Sequence, residues 1–359
     1  MPECKALTNH MCISLTGSWL PCCRFNGNKR NNLIKDMTFA EFRNNEWYQK
    51  IKDDMKDGWA FGCSRCKIDE DRNGASYRSF FNQNYFTDKI EFIEISLSNK
   101  CNLTCRMCDP IYSSSWQKVI KANTELEPYF HNAPEIDFDV NKLLDGVDLS
   151  CLKRIKYLGG EPFITPEINH LLNYLEEKNI LGNLEFECNT NCTFFPKKLL
   201  PKLKKFKTLV ISLSIDGVGK TNDYIRQGTS WDTIYKNILE WNNFRLENKN
   251  VKLDLSPTIQ AYNLHDVKNI ELLADELGIK TNNILLMFPE HLSINVLPES
   301  YLEDIKDDYN IKYYKSIKKN DRFNKFIDYT TKLDRAFNTD IKEYIPSLEK
   351  YMENYNEHT

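Results

Sequence analysis

Between residues 89 and 290 short apolar runs alternate with stretches of helical spacing. The runs are Ile90–Leu97, Arg154–Leu158, Leu184–Asn189, Thr208–Ser214, Val251–Thr258 and Ile284–Phe288. Each reads as a strand. Between them, Pro166–Glu177, Trp231–Phe244 and Leu264–Leu277 set apolar residues three and four apart, the period of an amphipathic helix. Such alternation predicts a parallel sheet with right-handed crossovers. Six strands are too few to close an eight-stranded barrel. The expected class is therefore α/β, an open six-stranded (β/α)6 partial TIM barrel.

Two flanking regions break that rhythm. Residues 1–88 carry one strand-like run, Ile13–Leu15, and one long helical pattern, Thr38–Lys56, with Phe39, Phe42, Trp47, Ile51 and Met55 on its apolar face. Thr38 and Glu41 have the spacing of a capping box, and Gly58 marks the helix end. Residues 291–359 read as a helical extension, with helix formers over Pro298–Tyr314 and Asp321–Asn338. The expected domains are a small module at 1–88, the barrel core at 89–290 and the extension at 291–359.

Composition narrows the class. The 359-residue chain is 41% hydrophobic, enough for a sizeable core. Its formal charge of −3 offers no global field for nucleic acid and argues against that partner. Met1–His10 has no apolar signal core, and no run approaches a membrane span. The 12 cysteines cluster in short-spaced groups, which points to bound metal in a reducing cytoplasm. The basic stretch Lys197–Lys207 reads as a solvated face.

The densest cysteine group is Cys101-Asn102-Leu103-Thr104-Cys105-Arg106-Met107-Cys108. It directly follows the first strand of the core. Three thiolates at C-x3-C-x2-C can hold three irons of a four-iron cluster, leaving one iron open for chemistry. Further distinctive residues fall at later strand ends, where barrels of this kind keep their chemistry. Gly159-Gly160-Glu161-Pro162 follows the second strand and Asn189-Thr190-Asn191-Cys192 ends the third. Ser212, Ser214 and Asp216 end the fourth, and Ile259 and Gln260 the fifth.

A second cysteine group lies in the first module. Cys63 and Cys66 have the C-x2-C spacing of a metal site. Cys12 and either Cys22 or Cys23 complete four thiolates, suited to zinc or to an iron–sulfur cluster. Cys22 is preferred because it directly follows Pro21. Cys4 reads as a spare; His10, two residues before Cys12, is a candidate ligand or a donor to one, with a surface histidine the plainer reading.

These motifs resemble the radical SAM superfamily. The resemblance implies that Cys101, Cys105 and Cys108 hold a [4Fe-4S] cluster whose open iron binds S-adenosylmethionine (SAM). Reductive cleavage of SAM would then generate a 5′-deoxyadenosyl radical. Met107 stands where the family often has an aromatic residue against the adenine, and its polarizable side chain can cover the ring. Gly159, Gly160 and Glu161 match the segment that binds the SAM amino group. Asn189 and Asn191 match a segment near the ribose. Ser212, Ser214 and Asp216 are expected near the ribose or methionine moiety, Arg226 on the SAM carboxylate, and Ile259 and Gln260 at the adenine.

The first module is similar to twitch and SPASM auxiliary-cluster modules, although those usually follow the core. This implies a second [4Fe-4S] cluster on Cys12, Cys22, Cys63 and Cys66. It also implies a peptide or small-molecule substrate and an electron donor such as flavodoxin or ferredoxin. Cys192 replaces the glycine that usually ends its segment. Its weak S–H bond makes it a candidate hydrogen donor to a substrate radical; packing as a small apolar residue is the plainer reading.

Overall fold

A computed structural model describes residues 3–27, 32–133, 136, 138–305 and 322–356. The chain divides into two compact units. The first comprises Met1–Lys100, Glu135–Cys188 and Lys197–Val210; the second comprises Cys101–Pro134, Asn189–Pro196 and Ile211–Thr359.

The principal strands are β1 (His10–Ile13), β2 (Trp19–Leu20), β3 (Phe92–Ser96), β4 (Arg154–Leu158), β5 (Glu185–Thr190), β6 (Thr208–Leu213), β7 (Val251–Leu255) and β8 (Lys280–Thr281). In the first unit the lateral order is β2-β1-β3-β4-β5. β1, β3, β4 and β5 pair in parallel, whereas β2 returns antiparallel on β1. All five residues of β3 are buried, as expected of a strand covered on both faces. β5 and β6 run on into the second unit, where β7 and β8 follow in parallel register, Lys280 opposite Asp254. The architecture is α/β with a mostly parallel sheet, the partial-barrel arrangement expected from the alternation.

Three elements differ from expectation. The helix expected over Thr38–Lys56 is two helices, Phe39–Asn44 and Glu46–Asp57. Asn45 separates them because its extended backbone ends one helix while its side chain caps the next by accepting the Tyr48 amide. The capping box at Thr38 and Glu41 is present. The sixth parallel strand is Lys280–Thr281; the run beginning at Ile284 instead forms a short separate ladder with Thr258–Ile259. In the extension the described α-helices are Glu299–Asp304, Phe323–Phe337, Ile341–Tyr344 and Glu349–Asn356. The rest of the expected Pro298–Tyr314 helix lies outside the described residues.

The second unit is built on one large apolar cluster containing Trp116, Tyr224, Tyr262, Tyr329 and Leu333, with Met107 and Cys108 packed against it. Burial of this kind is worth about 25 cal/mol per Å² of apolar surface. That cluster draws both the cysteine loop and the C-terminal helices into one core.

Candidate radical site and N-terminal thiol group

The cysteine loop is held by backbone pairing rather than by regular secondary structure. Thr104–Cys105 pairs antiparallel with Arg226–Gln227, setting Cys105 opposite Arg226. The Arg106 amide donates to the Ile225 carbonyl at 2.8 Å, and the Cys108 amide to the Cys105 carbonyl at 2.8 Å. The Ser115 hydroxyl donates to the Cys101 carbonyl at 2.6 Å and the Ser113 hydroxyl to the Leu103 carbonyl at 2.6 Å. Every backbone group so used fixes where a thiol points.

Two donors face the sulfurs. The Asn191 amide stands 3.7 Å from Cys101 Sγ and also donates to Asn102 Oδ1 at 3.0 Å. Arg226 Nη1 stands 3.9 Å from Cys105 Sγ. Burial pushes the Cys105 thiol up to about 12, with Arg226 opposing the shift and Cys101 adding to it. Burial also raises Cys108 well above the ordinary range, and Cys105 and Cys101 raise it further. Three thiols that sense one another, under donors suited to thiolate, fit an iron–sulfur cluster. Such a group supplies the positive charge that lets coordinated thiols deprotonate.

Arg226 is engaged on both sides. Its Nε lies 2.8 Å from Asp216 Oδ2, and both side chains are buried. Asp216 also accepts the Thr258 amide at 2.8 Å. Ser212 is buried and Ser214 half-buried, with the Ser214 amide on the Thr190 carbonyl. Ile259 is wholly buried in the apolar cluster. Gln260 donates to the Thr258 carbonyl, and its Oε1 has no hydrogen-bond partner among the described residues. Asn189 is half-buried on β5. Beside the third cysteine, Pro110, Gln117, Lys121, Phe130 and His131 line a cavity of about 610 Å³.

Cys192 has φ 61, in the left-handed region that glycine favours. That conformation explains why a glycine suits this place. The thiol is fully buried and donates to the Thr190 carbonyl at 3.6 Å, while the Cys192 carbonyl accepts Asn237 Nδ2.

Gly159, Gly160 and Glu161 belong to the first unit. A Cβ at Gly160 would stand 2.0 Å from the Lys100 carbonyl oxygen, and one at Gly159 2.4 Å from that of Ser98. Only glycine permits this approach. Glu161 is buried; its amide donates to the Lys100 carbonyl, and its carboxylate faces the Phe163 amide at 3.4 Å.

Sequence reasoning missed Arg106. Its guanidinium is wholly buried, 3.6 Å above the Tyr224 ring, and paired with Asp334 of the extension. The single charge of the Cys101–Cys108 loop was the available signal, but its partner lies far along the chain.

The first module also rearranges expectation. Burial raises Cys22 well above the ordinary thiol range, with Cys23, Cys4 and Cys63 adding to it. Burial brings Cys63 up to about 12, with Cys4 and Cys66 adding. It brings Cys4 to about 11, with Cys66 contributing. Cys4, read as a spare, is thus among these thiols. It is held there because the Lys5 amide donates to Asn82 Oδ1 and Asn82 donates to the Glu3 carbonyl. Cys12 has its thiol beside His10 and Glu94. Burial pushes the Cys23 thiol up, with the neighbouring Glu94 carboxylate adding to the shift and Tyr77 opposing it. His10 is buried rather than on the surface, because β1 is an interior strand.

The sequence pattern of the radical SAM superfamily matches residues 95–274, half of the chain. The chain belongs to the radical SAM superfamily. Members of the superfamily are enzymes that use a [4Fe-4S] cluster and SAM. One relative, the Fe-coproporphyrin III synthase of Methanosarcina barkeri, is 25% identical over 53% of this chain and 42% of its own length. The radical SAM cyclopropyl synthase TigE of Paramaledivibacter caminithermalis is 23% identical over 84% of this chain and 59% of its own. The chain spans about half the length of these curated relatives. The solved structure of anSMEcpe with bound AdoMet is 16% identical, covers 64% of this chain and 60% of its own, and superposes with a TM-score of 0.43. No described helix is long and apolar enough to cross a membrane.

Proposed function

We propose that this radical SAM enzyme abstracts hydrogen from a peptide or protein side chain and carries an auxiliary four-iron cluster. When bound, the SAM-associated cluster supplies the electron that cleaves SAM to the 5′-deoxyadenosyl radical. Cys101, Cys105 and Cys108 hold that cluster, with Asn191 and Arg226 directed at two of the sulfurs. Asp216 orients Arg226. Glu161 receives the SAM ammonium, and Met107, Ile259 and Gln260 cover the adenine. Asn189, Ser212 and Ser214 lie toward the ribose. Residues 1–88 form the auxiliary module, 89–290 the core and 291–359 a brace for the cysteine loop.

The observation that carries the peptide reading is the mutual influence of Cys4, Cys22, Cys63 and Cys66. It supports an all-thiolate auxiliary site of the kind that twitch and SPASM members, many of them peptide-modifying, resemble. Cys4, first read as a spare, joins the candidates for that site. A second reading, modification of a small metabolite, is favoured by the tetrapyrrole named in the Methanosarcina relative.

Anaerobically reconstituted protein with SAM and dithionite is expected to release 5′-deoxyadenosine. A short peptide encoded beside its gene is expected to change mass when added with flavodoxin or ferredoxin as donor. Modification of a porphyrin or nucleotide, with every such peptide unchanged, would reverse the order of the two readings.

A further inference from the structure

The first module holds a second constellation, separate from the four thiols just described. A ring nitrogen of His10, Cys12 Sγ and a carboxylate oxygen of Glu94 lie within 4.8 Å of one another, and all three residues are buried. Strand register creates the group. β1 and β3 pair in parallel with Cys12 opposite Glu94. His10 is two residues before Cys12, so it shares the same strand face.

His10 and Glu94 meet without a hydrogen bond between them. His10 Nε2 stands 3.7 Å from Glu94 Oε2, too long for a hydrogen bond. Both His10 ring nitrogens and Glu94 Oε2 are buried with no hydrogen-bond partner among the described residues. The imidazole is packed between apolar rings, 4.9 Å from each of Phe81 and Phe92. Buried polar atoms are normally partnered, because leaving them bare forfeits their hydration. Here several converge on one spot.

We propose that His10, Cys12 and Glu94 bind a mononuclear zinc ion. Imidazole nitrogen, thiolate sulfur and carboxylate oxygen are the three ligand types zinc accepts. Two nitrogen or oxygen ligands of a tetrahedral zinc lie about 3.3 Å apart, close to the separation present before any metal enters. Cys23 and Tyr77 neighbour the Glu94 carboxylate, as outer-shell groups neighbour the ligands of a metal. The zinc would tie the interior strand β1 to its parallel neighbour β3 and separate the roles of the adjacent residues Cys22 and Cys23.

The test uses full-length protein reconstituted anaerobically with iron and sulfide, equilibrated with zinc chloride and washed with a chelator. Elemental analysis is expected to find one zinc per chain besides the iron. X-ray absorption at the zinc edge is expected to show mixed shells, sulfur at about 2.3 Å and nitrogen or oxygen at about 2.0–2.1 Å. His10→Gln and Cys12→Ser should each lose the zinc and keep the iron, whereas Cys4→Ser should lose iron and keep the zinc. Wild-type protein without retained zinc overturns the site. So does an all-sulfur zinc shell, or zinc lost with Cys4→Ser and kept in His10→Gln. The wild-type spectrum needs no variant to fold, and loss of iron alone tells against the auxiliary cluster instead.

Discussion

Arg106 Nη2 lies 2.6 Å from Asp334 Oδ1, joining the cysteine loop to a helix 228 residues later. The same nitrogen donates to Thr339 Oγ1, and the Arg106 carbonyl accepts the Tyr329 hydroxyl at 2.6 Å. Arginine suits this position because its planar fork serves several acceptors while stacking on an aromatic face. The C-terminal extension thereby braces the loop that carries Cys105 and Cys108.

That brace predicts an asymmetric cost. Asp334→Ala leaves a buried guanidinium without its counter-ion and should cost about 3 kcal/mol. Arg106→Met, which removes the charge and keeps the apolar stem, should cost less. Denaturant unfolding of both variants checks the order, and iron content reports whether the loop loosens. Equal stabilities would mean that Asp334 acts only as a surface partner.

The thiol groups predict separable iron losses. Reconstituted protein should hold about eight irons as two four-iron clusters. Changing Cys101, Cys105 and Cys108 together to Ala should remove half and abolish 5′-deoxyadenosine formation. Cys4→Ser should lower the other half while SAM cleavage persists. One zinc in place of the second four irons, held by Cys4, would remove the auxiliary cluster from this account.

The glycine turn predicts a steric effect distinct from an ionic one. Gly160→Ala sets a methyl against the Lys100 carbonyl, so backbone must move, at about 3 kcal/mol. Gly58→Ala meets nothing within 4 Å and serves as the control. Glu161→Gln should weaken SAM binding in a titration while leaving iron unchanged, because a neutral amide loses the charge-assisted bond to an ammonium. Unchanged affinity takes Glu161 out of the site.

Cys192 allows a three-way comparison. Cys192→Gly relieves a left-handed backbone worth about 1 kcal/mol but empties the buried thiol space. Cys192→Ala keeps the strain and removes the S–H bond. If the thiol donates hydrogen, Cys192→Ala still cleaves SAM but stalls turnover or changes the product, and Cys188→Ala alters mainly stability. An unchanged product leaves Cys192 as a packing residue.

Burial lowers His265 from 6.5 to about 4, so the folded ring stays neutral where the unfolded ring takes up a proton. The unfolded state then binds more protons between these values, and stability falls as pH drops through that window. His265→Gln should flatten the fall between pH 6.5 and 4 in parallel thermal melts. An identical slope would assign the acid sensitivity to other groups.

Much of this protein is local and therefore readable from sequence. The C-x3-C-x2-C spacing, the strand–helix alternation, the Thr38–Glu41 capping box and the glycine pair each depend on neighbours a few residues apart. The left-handed turn at Cys192 was visible only as a missing glycine. Tertiary structure decided what depends on pairing across long separations. No spacing rule brings Cys4 to Cys22, Cys63 and Cys66, because Asn82 holds the segment around Cys4 from a distant helix. No periodicity turns His10 inward; the pairing of β1 with β3 does, and it sets Cys12 against Glu94. Lys280–Thr281 is too short to register as a strand until β7 offers it an edge. Asp334 looks like any surface acid until the fold delivers Arg106 to it. Short-range chemistry follows from order along the chain, whereas the partners of buried charges and thiols follow from which strands and helices come to lie side by side.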